Sequence, residues 1–208
     1  MEQLTATTPS EHNLFETAAV KEDIPIEERN DVTVDELERG WESLPYPAEL
    51  DNGKVVFKMP NLEHGMIHSN VDWALRSYLK KHPIGYIALE TNFRLWDDRP
   101  HASFIPDICF IAKERIPKNK RRFPDMAPDL AVEIVSEDDS HNKIMAKVKA
   151  YLQQGTKVVW VIFASTREVL VCTTAGKHYV GIDEVLTAPD VLPDFALPVR
   201  EIFWGLEE

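Results

Sequence analysis

Between Glu63 and Lys81 the apolar residues Ile67, Val71, Ala74, Leu75, Tyr78 and Leu79 recur at steps of three and four, which predicts an amphipathic helix stopped by Pro83 and Gly85. The same period returns at Ile144, Val148, Tyr151 and Leu152 and ends at Gly155. Around these two helices lie short apolar runs of strand length: YIALETNFRLW from Tyr86, SFIPDICFIA from Ser103, LAVEIV from Leu130, VVWVIF from Val158, EVLVCTT from Glu168 and KHYVG from Lys177. A polar turn from Asp97 to Pro100 separates the first pair, and Gly176 separates the last. AELDNGKVVFKMP, from Ala48, reads as a hairpin about Asn52-Gly53 that Pro60 ends. Thr33 and Glu36 form a capping-box start to a short helix, and FALPVREIFWG, from Phe195, predicts a short closing helix. Strands first, then a helix, then strands implies an α+β fold, a mixed sheet flanked by helices with additional β-hairpins, rather than regular βαβ winding.

With 208 residues, the chain is of a size for one domain with a full core. No apolar run approaches the length that spans a bilayer, and the first twenty residues lack a basic start followed by an apolar stretch, so the expectation is a cytoplasmic protein without a membrane partner. Cys109 and Cys172 sit in apolar runs and read as reduced core thiols. The formal net charge of −12 excludes a protein that coats nucleic acid through bulk positive charge. That charge is unevenly placed. Residues 1–31 carry eight acids against Lys21 and Arg29 and lack sustained periodicity, so they are expected to be a flexible acidic arm, with docking on a neighbouring subunit of a homodimer as one role open to it. KERIPKNKRR, from Lys113, carries six bases and one acid. Its Lys118, Lys120, Arg121 and Arg122 are candidates for phosphate contact, with a solvated loop as the equal alternative.

Glu133 breaks the apolar run from Leu130 to Val135. A carboxylate in a buried strand needs a cation, a hydrogen-bond network or a metal ion beside it. Asp107 lies in the preceding strand, and Lys147 on the following helix, four residues before Tyr151. Two carboxylates suit a hard cation such as Mg²⁺ or Mn²⁺, and a lysine beside them can orient water or stabilise charge on a reacting phosphate.

AELDNG, PNLEHGMI, IPDICFI, PDLAVEIVS, KVKAY and the closing FALPVREIF, in that order and spacing, resemble the Uma-two family of restriction endonuclease-like proteins, part of the PD-(D/E)XK nuclease superfamily. The resemblance runs from about residue 33 to 203 and implies a restriction-endonuclease-like core over residues 32–208, metal-dependent cleavage of DNA, and Asp107 and Glu133 as ligands of Mg²⁺ or Mn²⁺. Val135 stands where the superfamily pattern has lysine, and Lys147 matches the place to which this family moves it. Glu49 and His64 match the family's earlier acidic and histidine positions. Departures include Ser136-Glu137 in place of Ser-Pro and Lys143 in place of an aspartate.

Glu133 could instead form a structural ion pair with Lys147 or Lys149. A nuclease fold kept only for binding protein or nucleic acid is the alternative function. His68 reads as a helix-surface imidazole, and Trp73 and Trp160 as core.

Overall fold

The computed structural model describes residues 24–136 and 140–206. Residues 1–23 of the expected arm lie outside the described residues. Residues 24–31 include a 3-10 turn, Ile26–Glu28, and Arg29, which pairs with Asp31 at 2.9 Å and Glu36 at 2.8 Å. Helix α1, Val34–Gly40, opens with the capping box: Thr33 Oγ1 accepts from the Glu36 N–H, and Glu36 accepts from the Thr33 N–H.

Strands β1, Ala48–Asp51, and β2, Lys54–Phe57, form the hairpin about Asn52 and Gly53, whose φ values of 50° and 85° are those of a tight left-handed turn. Only glycine serves at position 53, since a Cβ there would stand 2.7 Å from the Asn30 carbonyl oxygen. Helix α2, Leu62–Lys81, is capped by Asn61, which accepts from the His64 N–H. Ile67, Val71 and Leu75 make its buried stripe.

Among the described residues the main sheet has six strands, in the order β3 (Gly85–Leu89), β4 (Ile108–Ala112), β5 (Leu130–Val135), β6 (Val158–Phe163), β7 (Glu168–Thr173), β8 (Gly176–Val180). Only β5 and β6 run parallel, joined by helix α3, His141–Gln153, as a parallel crossover requires. A second hairpin, β9 (Val185–Ala188) with β10 (Leu192–Pro198), precedes the short helix α4, Val199–Ile202.

Strand alternation sorts the core into two layers. Leu130, Val132 and Ile134 of β5 face α2 and the β9–β10 hairpin, in one cluster with Ile67, Leu75, Trp160 and Phe195. Ala131 and Val135 face α3, with Ile144, Val148 and Tyr151. A third cluster packs α1 against the β1–β2 hairpin and Phe123.

The mixed α+β expectation holds, with local corrections. The run from Tyr86 ends as a strand at Leu89, because Glu90 turns the chain with φ 44° and only the isolated bridge of Phe93 with Phe104 continues the pairing. The β9–β10 hairpin was not anticipated, since short, half-exposed strands carry little apolar period. Trp160 is fully buried as expected, but Trp73 is 72% exposed. Both cysteines are free and buried, and burial pushes the Cys109 thiol up to about 12. Among the described residues no helix is long and apolar enough to cross a membrane.

Candidate active site

Asp107 and Glu133 meet because of strand register. Ile108 pairs with Val132, so one step further along the antiparallel ladder of β4 and β5 sets Asp107 opposite Glu133, on the face that α3 covers. Both are 2% exposed. From α3, Lys147 reaches back to Glu133 Oε2 at 3.1 Å and to Glu49 Oε2, on β1, at 3.0 Å. Tyr151, one turn later on the same face, donates its hydroxyl to Glu133 Oε1 over 2.8 Å. Glu49 also accepts from the Ile105 N–H, which fixes the hairpin against the sheet.

Helix α2 supplies two histidines to Asp107. His64 Nε2 lies 3.4 Å from Asp107 Oδ2, and His68 Nε2 lies 2.9 Å from the Asp107 carbonyl oxygen. Asp107 Oδ2 further accepts from the Ile134 N–H at 2.6 Å. His68 therefore positions the Asp107 backbone rather than standing free on the helix surface.

Lys58, directly after β2, was missed in the sequence because nothing in VVFKMP marks it. Its Nζ lies 3.4 Å from Asp107 Oδ1 and 3.7 Å from Glu133 Oε2. Glu90 was missed too; it lines the same cleft, in the left-handed region, and its N–H donates to the Asp107 carbonyl. The cleft, about 230 Å³, is lined by Glu49, Lys58, His64, Asp107, Glu133 and Lys147, with Lys143 and Glu90 beside them.

Burial pushes the Asp107 carboxyl up, but His64, Lys58 and the Ile134 N–H outweigh it and hold the group well below the usual carboxylate range. Glu133 goes the other way: burial raises it, and Lys147 and Lys58 only partly offset that. Burial lowers the Lys58 ammonium, yet Glu133, Asp107 and Glu49 together hold its pKa far above that of a free lysine. Burial, then the Glu133 charge, raises Tyr151 well above an ordinary phenol, so it remains a proton donor to the carboxylate.

The oxygens that could hold a cation are Asp107 Oδ1 and Glu133 Oε2, which both face the Lys58 ammonium. Hard carboxylate donors suit Mg²⁺ or Mn²⁺, and Mg²⁺ is commonly held by one or two carboxylates with the rest of its shell in water and substrate. Among the described residues no group of three His, Cys, Asp or Glu side chains is arranged to hold a metal.

The basic loop stands apart from the cleft. It leaves the far end of β4 from Asp107, and none of Lys118, Lys120, Arg121 or Arg122 lines the cleft. Arg122 is bound to Glu38 at 2.8 Å, and Lys120 and Arg122 edge a separate hollow with Tyr86 and Ile116.

The fold is similar to that of a solved structure described as "a putative nuclease belonging to DUF820 from Anabaena variabilis", with TM-score 0.68, 26% identity, and coverage of 83% of this chain and 97% of that one. None of the curated proteins matches the chain. The model of the Uma2 family, described as "Putative restriction endonuclease", matches residues 35–200, and the chain belongs to that family.

Proposed function

We propose that this protein is a metal-dependent nuclease that hydrolyses phosphodiester bonds in DNA, with Asp107 and Glu133 as ligands of Mg²⁺ or Mn²⁺. The observation that carries this reading is the convergence of Asp107 Oδ1 and Glu133 Oε2 beside Lys147 in a cleft open to solvent. Family membership and the likeness to a nuclease structure support it.

A bound divalent ion would neutralise the scissile phosphate and lower the pKa of the attacking water. Asp107 is kept ionised by its surroundings and is the more readily available ligand. Lys147, held between Glu49 and Glu133, would orient the water or stabilise charge developing on the phosphate. His64 and Glu49 would position Asp107 and Lys147 respectively. The loop bases Lys118, Lys120 and Arg121 would contact the DNA backbone away from the cleft.

The test is cleavage of supercoiled plasmid and of single-stranded, duplex and branched DNA with Mg²⁺ or Mn²⁺, with Asp107→Ala as control. Cleavage by the wild type alone supports the proposal; no cleavage of any substrate with either ion sinks it. A second reading, a binding module on a nuclease fold, is favoured by the Lys58 ammonium, which already faces both carboxylates. Retained DNA affinity without cleavage would select it.

A further inference from the structure

We infer that Lys58 is an exchangeable internal cation of the carboxylate pair, holding Asp107 and Glu133 together in the metal-free protein and lowering metal affinity because it must leave when a divalent ion binds. This rests on the proposed metal role of the two carboxylates.

Each carboxylate spends one oxygen inside the protein. Asp107 Oδ2 takes the Ile134 N–H, and Glu133 Oε1 takes the Tyr151 hydroxyl. The other oxygens, Asp107 Oδ1 and Glu133 Oε2, both face the Lys58 ammonium, at 3.4 and 3.7 Å, and Oε2 also takes Lys147 at 3.1 Å. Asp107 and Glu133 would hold a Mg²⁺ through these same oxygens, so the ion and the ammonium would compete for them. Two positive centres on the same pair of buried carboxylates repel, so one excludes the other.

Lys147 cannot be the group that leaves. Its side chain is 6% exposed and is held by Glu49 as well as Glu133. Lys58 is 24% exposed, and the next residue, Met59, is 74% exposed at the rim. A flexible four-carbon stem can swing from that place into the open cleft without moving the sheet. The cleft has four acids (Glu49, Glu90, Asp107, Glu133) against the lysines Lys58, Lys143 and Lys147, so a divalent ion in place of the Lys58 ammonium would offset the remaining excess of acid.

The experiment is calorimetric titration of the full chain with Mn²⁺, in wild type, Lys58→Met, Lys58→Arg and Asp107→Ala, with thermal unfolding of each before and after metal. Lys58→Met should bind Mn²⁺ about tenfold more tightly or better, because a competing cation has gone. It should also melt lower than wild type without metal and recover with it. Lys58→Arg should keep weak binding, and Asp107→Ala should lose it. Equal affinity in wild type, Lys58→Met and Lys58→Arg would overturn the role of Lys58 while leaving the metal site intact. Absence of Mn²⁺ binding in every variant would instead overturn the ligand pair itself. Should Lys58→Met fail to fold, Lys58→Gln offers the same loss of charge with a polar end, and the same affinities decide.

Discussion

The Tyr151 hydroxyl holds Glu133 Oε1 at 2.8 Å while the Lys147 ammonium, one turn earlier on the same helix, holds Oε2 at 3.1 Å. The i, i+4 pair thus fixes both oxygens of a carboxylate embedded in a strand, and Oε2 also faces Lys58 at 3.7 Å. Glu133 stays in an apolar run because the helix that follows the strand returns with a cation and a donor at the right spacing.

Tyr151→Phe should accordingly leave a buried carboxylate oxygen without its donor. Equilibrium urea unfolding should show a loss of about 1–3 kcal/mol, the ordinary cost of such an orphaned group. No measurable loss would mean that water or Lys147 takes over the vacated position.

Lys147→Ala removes the ammonium that joins Glu49 to Glu133, both buried, and leaves Glu133 with Lys58 alone, at 3.7 Å. A loss of about 3–5 kcal/mol is expected, as for other broken buried pairs. Adding Glu49→Gln should restore part of it, since one of the two repelling charges is gone. Stabilities that simply add across the two substitutions would show that Lys147 does not couple them. This variant is therefore a poor test of catalysis by itself, and Lys147→Arg, which retains the charge, is the better companion in a cleavage assay.

Acid should weaken the junction of α1 with the basic loop. Burial pushes Glu38 up, but the Phe123 N–H, Arg122 and Arg94 outweigh it and hold its carboxyl below the ordinary value. A carboxyl depressed in the folded state binds its proton more readily when unfolded, so its contribution is present above the unfolded pKa and is lost as pH falls below about 4.3 and through the folded value. Urea midpoints measured from pH 7 downward should fall less steeply for Glu38→Gln than for wild type. Parallel curves would remove Glu38 from the acid response.

DNA affinity should depend on Lys118, Lys120 and Arg121 more cleanly than on Arg122, which is already engaged by Glu38. Reversing the first three to Glu should weaken binding and reduce the slope of log affinity against log salt by about 2–3, close to one for each phosphate no longer neutralised. Fluorescence anisotropy between low and moderate salt measures this. An unchanged slope would leave the loop as a solvated connection.

Truncation tests the boundary of the domain. A chain beginning at Ile24 keeps the Arg29 pairs and Ile26, which packs with the third core cluster; one beginning at Asn30 has neither. The shorter chain should fold but be less stable by about 1–2 kcal/mol, mainly because the Ile26 side chain no longer covers that cluster. Equal melting of the two would support a boundary at residue 31.

Local order was legible in the sequence wherever one short stretch specifies it. The Thr33 capping box, the Asn52-Gly53 turn, the α2 stripe and the α3 stripe each depend on neighbours within a few residues, and the structure has them all. Glu133, too, announced itself, because a charge in an apolar run demands a partner. The spacing of Lys147 and Tyr151 on the next helix was the visible half of the answer. What only the tertiary structure decided is the set of contacts across long sequence separations. The β4–β5 register, which brings Asp107 to Glu133, depends on pairing two strands, and no local pattern encodes it. Lys58 reaches the pair from a hairpin whose packing on the sheet is set by Glu49 and by Ser103, which accepts from and donates to Leu50 through its backbone. His68 meets a backbone carbonyl, a partner without any side-chain signature. The physical reason is common to these cases: a charged residue at a strand end or on a polar helix face looks the same in sequence whether it faces water or a carboxylate, and only burial by distant segments tells them apart.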